Sequence, residues 1–328
     1  MVLILTGWRI SNLQKAVVVY CAHDAVFAEE ILHGFETQTG IKVTTKYDTE
    51  ATKSLGLVEL LLAEKAAPRC DVFWNNELLG TTDLAEKGLL APHQGPGWER
   101  IPKTMKDPEG RWTGFAARLR VQILRTGGEG AAPDLAALND PASQADLSRA
   151  AIAKPLYGTT LTHYTVLWNR WGADAVKAWH RGTRERGLRE VNGNGAVKDM
   201  VASGICRQGF TDTDDFFAAK DAFLPVTMQP VQLADGATIA IPNTVALIKG
   251  ARHEIAARLL IDYLLSAETE LALAKSKSRQ IPLGPVDEAQ LPAEVRELRG
   301  WAEKSVPLTE LGAARAECLA WLKSIYTE

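Results

Sequence analysis

The chain has 328 residues, 46% hydrophobic and 23% charged, which is ample core material for a globular protein and more than one ordinary domain of ~100–200 residues uses. Its 37 basic and 40 acidic side chains leave a formal charge of -3, which excludes the basic field that nucleic acid or an anionic membrane surface requires. No apolar run reaches the ~18 residues of a membrane-spanning helix. The apolar stretch 1–5 precedes Arg9 and Lys15 instead of following them, which is not the pattern of a secretory signal.

Residues 16–20 (AVVVY) form a buried strand by composition, and 24–39 an amphipathic helix with Val26, Phe27, Ile31, Leu32 and Phe35 at helical spacing, closed by Gly40. A strand at 41–47, a helix at 52–65 and a strand at 70–74 follow, so the first third reads as a parallel sheet with right-handed crossovers. The loops after its strands hold Asp24, then Asp48 and Glu50, then Asn75, Asn76 and Glu77. A short helix is predicted at 81–88 and a loop at 92–97, and the long uninterrupted strand at 114–126 suits a crossing between two lobes. Beyond it come a strand at 150–153, helices at 160–171 and 173–187, a strand at 188–191, a helix at 194–203 and a strand at 205–210. After extended segments at 225–233 and 238–249, the chain ends with helices at 254–265, 268–275 and 309–326 and a short strand at 280–283. Pro230 restricts its segment to an edge, and Ser266 is placed as a cap. The four cysteines, Cys21, Cys70, Cys206 and Cys318, show no C-x-x-C spacing and read as buried hydrophobes.

The densest chemistry lies at Thr211-Asp212-Thr213-Asp214-Asp215, between a strand and the helix DDFFAAK. Thr and Asp favour N-caps, and acids in a first turn complement the helix dipole. Capping accounts for one or two of these residues; a ligand clamp at the carboxyl end of a strand accounts for all of them. No G-x-S-x-G, H-E-x-x-H or Walker loop occurs, Gly127-Gly128 and Gly193-Asn194-Gly195 read as turns, and His163 reads as a helix histidine. No catalytic residue is therefore assigned. Carboxylates without His or Cys partners suit hard oxygen-seeking cations or ammonium groups. Trp74 and Trp112 either pack in the core or stack on a cation. A metal-dependent enzyme holding Mg2+ on the same carboxylates is the reading from another class.

The order Val17-Val18-Val19-Tyr20, Phe35-Glu36-x-x-Thr39-Gly40-Ile41-Lys42-Val43, Asp71-Val72-Phe73-Trp74 and Gly88-Leu89-Leu90-Ala91-Pro92 resembles the periplasmic ferric-iron-binding proteins, a branch of the type 2 solute-binding proteins of ABC importers. The resemblance continues through Trp112-Thr113-Gly114, Arg118-Leu119-Arg120, Asn194-Gly195-x-Val197 and the segment 257–266, covering residues 16 to about 285. It implies an α/β, two-lobed type 2 periplasmic binding protein fold with the ligand cleft between lobes and a crossing-strand hinge. Lobe 1 is expected from 16–117 and 237–285, lobe 2 from 118–236, and a helical tail from 286–328. The family holds its ligand through an N-terminal His or acid, a Glu after the third strand and a tyrosine pair in the second lobe. Here Asp24 falls at the first position, Asn76 and Glu77 at the second, and Asp214-Asp215 where the tyrosines would be. Arg118, Thr159, Thr160 and Asn194 match positions that hold the accompanying anion or line the cleft. The resemblance thus implies a periplasmic or extracytoplasmic, monomeric binding protein with a membrane permease as partner. The expected ligand set is Asp24, Glu50, Asn75, Asn76, Glu77, Arg118, Thr159, Thr160, Asn194, Asp212, Asp214 and Asp215, with Asp24, Glu77, Asp214 and Asp215 on a metal such as Fe3+ or another hard cation. The competing ligands are an organic amine of polyamine type and a phosphonate.

Overall fold

A computed structural model of the chain describes residues 15–48, 55–127, 138, 140 and 142–326. Its strands are β1 (Ala16–Cys21), β2 (Lys42–Tyr47), β3 (Val72–Asn75), β4 (Leu90–Ala91), β5 (Thr113–Arg125), β6 (Ala150–Ala153), β7 (Arg189–Val191), β8 (Gln208–Asp212), β9 (Val226–Pro230) and β10 (Ala240–Ile248). They hydrogen-bond in the order β2-β1-β3-β10-β5-β8-β6-β7, with β4 added to β10 and β9 to β5. β1 lies parallel to β2 and β3, as the strand-helix-strand alternation requires, and β6 lies parallel to β7 and β8. The expected sheet order of the first third is therefore present.

β5 joins the two halves. Its first part pairs antiparallel with β10, from Thr113 opposite Val245 to Leu119 opposite Ala240. Its second part pairs with β8, from Arg120 opposite Asp212 to Leu124 opposite Gln208, and with β9. The changeover falls between Leu119 and Arg120, within the strand expected to cross between the lobes. The path is bent there: Ala116 has φ 42°, a left-handed conformation that a non-glycine residue keeps only when its neighbours hold it. Ala116 is the extra residue of a bulge in β5 opposite Pro242 and Asn243; Glu270, completely buried, accepts a 2.9 Å hydrogen bond from Ala116 N, and Asn243 Nδ2 donates 2.5 Å to Ala116 O.

Helices flank both halves as the apolar periodicity dictates. Phe35, Ile31 and Leu32 of Ala25–Thr39 face Val17, Val19 and Val72, and Gly40 at φ 70° closes that helix onto Glu36 O. In the second half Gly209 lets the helix Asn194–Ala202 approach closely, since a Cβ there would lie 2.4 Å from Val197 Cγ1. Ser266 caps Ala267–Lys275 through Thr269 N at 3.1 Å, as expected. The C-terminal helix Gly312–Tyr326 packs on Gly158–Trp171 and also reaches Leu79–Glu86, where Arg315 lies 3.7 Å from Asp83, while Lys323 lies 3.6 Å from Glu59 of the helix Leu55–Ala63.

Several boundaries differ from the sequence reading. Residues 92–97 are not all loop, since Pro96–Arg100 is helical, and within the helical tail expected over 286–328 the helix Ala293–Ala302 precedes the one expected at 309–326. The strand at 280–283 is reduced to one bridge, Ile281 with Ala117. The strand expected at 205–210 begins at Gln208 and runs on to Asp212, so the acidic cluster starts inside the strand. All four cysteines are buried and unpaired with one another. No helix among the described residues is long and apolar enough to cross a membrane.

Candidate ligand cleft

The carboxyl ends of β1, β3, β6, β7 and β8 meet at one edge, where open α/β sheets bind ligands. There a cavity of about 180 Å3 is lined by Asp24 and Asn76 from the first half, Arg118 from the crossing strand, and Thr159, Thr160, Asn194, Asp212, Asp214 and Asp215 from the second. Lys154, Tyr157, Gly158, Gly193 and Gly195 complete most of its wall. The acid after β1 and the acids after β8, 190 residues apart in sequence, thus share one space.

Arg118 and Arg120 sit two residues apart on a strand and therefore project to the same face. Both are almost completely buried. Arg120 Nη1 donates to Asp212 Oδ1 at 2.7 Å, Thr159 Oγ1 at 3.1 Å and Asn194 Oδ1 at 3.3 Å. Asp212 Oδ2 accepts from Thr159 Oγ1 at 2.5 Å and Asn194 Nδ2 at 3.0 Å. Arg118 Nη2 donates to Asn76 O at 2.6 Å, while its Nε lies 3.6 Å from Asp212 and 3.8 Å from Asp214. Burial works against the Arg118 cation, but Asp214, Asp212, Asp24 and Asp215 together raise its pKa. Among the described residues, its buried Nη1 has no hydrogen-bond partner.

Asp212, Asp214 and Asp215 each offer a carboxylate oxygen, and these oxygens lie within 4.8 Å of one another. Their roles divide. Asp212 spends both oxygens on Arg120, Thr159 and Asn194, which makes it a brace for the wall. Asp215 Oδ2 accepts from Thr211 Oγ1 at 2.7 Å and Asp214 Oδ1 from Asp215 N at 3.1 Å, so both are oriented from within their own turn. The cavity wall carries Asp24, Asp212, Asp214 and Asp215 against Arg118 and Lys154, with Arg120 behind it. The surplus is acidic.

Two expected residues sit elsewhere. Glu77 is not among the cavity-lining residues, and its carboxylate is turned to the backbone: Oε2 accepts from Leu79 N at 2.6 Å and Oε1 from Gly80 N at 2.7 Å and Asn75 Nδ2 at 3.1 Å. The first turn of Leu79–Glu86 takes the carboxylate as its cap. Asn75 is likewise spent, bonding Glu77 and Thr81 Oγ1 at 3.1 Å each. Glu77→Ala is expected to lower stability by about 1–2 kcal/mol, read by thermal melting, with ligand affinity retained; a selective loss of affinity would return Glu77 to the ligand set. Glu50 lies outside the described residues.

Trp74 and Trp112 are buried core residues outside the cavity wall, Trp74 lying between His23 and Phe115, so neither stacks on a ligand there. His163 is buried against Phe210, and burial with Arg120 nearby holds its pKa well below the ordinary value. Arg120, Lys154 and Tyr157 had not been assigned to the site. For Arg120 a signal was present, because two arginines two positions apart in an apolar strand must share a face and find buried partners. Tyr157 precedes the helix Gly158–Trp171, and burial raises its phenol pKa.

The model of the family described as bacterial extracellular solute-binding protein matches residues 17–276. Iron uptake protein A1 of Synechocystis sp. is 24% identical over 280 residues, which is 80% of this chain and 74% of that protein. Among solved structures, iron-bound HitA from Pseudomonas aeruginosa superposes with a TM-score of 0.79 at 20% identity, covering 94% of this chain and 99% of HitA. The periplasmic binding protein AfuA from Actinobacillus pleuropneumoniae, with exogenous fructose-6-phosphate bound, gives 0.75 at 19% identity, covering 94% and 98%. These likenesses establish the two-lobed binding-protein fold around the cleft.

Proposed function

The chain belongs to the bacterial extracellular solute-binding proteins, and from that premise we propose that it binds Fe3+ or a similarly hard cation in the cleft and delivers it to an ABC permease. The protein acts outside the cytoplasm, as a monomer and without catalysis. The observation that carries this reading is the acidic surplus of the cavity, with Asp24 on one side and Asp214 and Asp215 on the other. Hard cations take carboxylate oxygens. Asp24 from the first half and the pair from the second would close on the ion together, as domain closure around a ligand does. Iron uptake protein A1 and iron-bound HitA support the choice of cation by similarity. Asp214-Asp215 then stands in for the tyrosine pair of the ferric-binding proteins. Calorimetric titration with Fe3+ supplied as the citrate complex tests the reading, the expected result being a saturable one-site isotherm. No binding of Fe3+ or of any other metal in a panel would refute it.

A second reading is a phosphorylated sugar, favoured by the buried Arg118 Nη1, which has no hydrogen-bond partner among the described residues, in a cavity wall shared with the Thr159 and Thr160 hydroxyls. AfuA with fructose-6-phosphate supports it by similarity. Guanidinium and hydroxyl donors suit a phosphate, and sugar hydroxyls suit carboxylates. Binding of fructose-6-phosphate in the absence of any metal would favour this reading over the first.

A further inference from the structure

Arg279, Gln280 and Ile281 follow the helix Ala267–Lys275, and each touches a different part of the framework that carries the cleft. The Arg279 guanidinium pairs with Asp221 through two bonds, Nη1 to Oδ2 and Nη2 to Oδ1, both 2.8 Å, and its central carbon lies 4.8 Å from the centre of the Phe217 ring. Asp221 and Phe217 belong to Thr213–Asp221, the helix whose first turn holds Asp214 and Asp215. Gln280 is completely buried; its Nε2 lies 2.9 Å from His23 Nε2, next to Asp24, and its Oε1 accepts from Asn243 Nδ2 at 2.8 Å. Ile281 exchanges both backbone bonds with Ala117, one residue before Arg118, at 2.7 and 2.8 Å.

One short segment therefore holds the acid-bearing helix of the second half, the residue beside the acid of the first, and the crossing strand. Arg279 does this from a left-handed backbone, φ 45°, which a long side chain adopts only where the surroundings enforce it. The doubled ion pair and the ring contact supply that enforcement.

We propose that the Arg279–Asp221 pair is a clasp that positions Asp214 and Asp215 against Asp24, biasing the ligand-free protein toward the closed cleft. Arg279 is a positioning residue and touches no ligand. A ligand whose competent state is already populated binds more tightly in proportion to that population. The proposal rests on the cavity being the ligand site and not on which ligand enters it.

Small-angle scattering of the ligand-free protein reads the clasp directly, and Fe3+ titration in citrate reads its effect on binding. Arg279→Gly keeps the backbone conformation and removes the side chain. It is expected to enlarge the radius of gyration of the ligand-free protein, leave that of the Fe3+-loaded protein unchanged, and weaken Fe3+ binding by about threefold to tenfold. The swap Arg279→Asp with Asp221→Arg is expected to restore both values, because Asp tolerates positive φ and Arg suits a helix C-terminus. An unchanged ligand-free radius in Arg279→Gly, or a swap that restores neither value, overturns the proposal. If the wild-type protein binds no Fe3+, the cation reading fails while the scattering comparison still decides the clasp.

Discussion

Asp214→Asn combined with Asp215→Asn is expected to weaken Fe3+ binding by at least about a thousandfold. A unit-charge pair at 4 Å and an effective dielectric of ~20 is worth about 4 kcal/mol, and each 1.4 kcal/mol is tenfold in affinity. Solvent screening at the half-buried Asp215 reduces that figure, so a thousandfold is the floor left by two lost charges. Asn keeps the shape and can still accept from Thr211 Oγ1 and from Asp215 N, the bonds that orient the pair. The melting temperature should therefore stay close to that of the wild type while the calorimetric isotherm is lost. A phosphate ligand gives the opposite result, with affinity kept or increased as repulsion is removed.

Arg120→Met is expected to cost about 3–5 kcal/mol of stability, because it takes from the buried Asp212 carboxylate the cation hydrogen-bonded to it and leaves only Arg118 at 3.6 Å. Thermal melting should show this as a drop on the order of 10 °C. Arg120 also tethers Thr159 and Asn194, so the wall opposite Asp24 loses its order at the same time. The double variant Arg120→Met with Asp212→Leu removes both charges and is expected to recover most of the stability but not the ligand affinity. If Arg120→Met melts like the wild type, the brace assigned to this pair is wrong.

The first half of the fold was legible because its strands and helices announce themselves locally. AVVVY, the spaced apolar face of Ala25–Thr39 and the glycine at position 40 agree on one arrangement, and parallel pairing of β1, β2 and β3 follows from it. Placement of acids after strands likewise brought Asp24, Asp214 and Asp215 to one cavity. Glu77 falls outside the cavity wall because the helix starts two positions earlier than expected. With the helix read from Thr81, Glu77 stands clear of it; with the helix beginning at Leu79, its carboxylate falls on the exposed N–H groups. Arg120 was missed for a different reason, since its partner Asp212 lies 92 residues away and only the antiparallel register of β5 on β8 brings them together. The helix Ala293–Ala302 buries only Val295 and Leu298 of ten residues, too sparse a face to declare itself by periodicity.

The proposed site holds one cation between the halves of the molecule through Asp24, Asp214 and Asp215. Crystals of the Fe3+-loaded protein measured at the iron absorption edge test it most directly. A single anomalous peak is expected within the cavity, at metal–oxygen bonding distance from carboxylates of both halves. A peak held by one half alone, a peak outside the cavity, or an ordered phosphate ester in place of metal would contradict it.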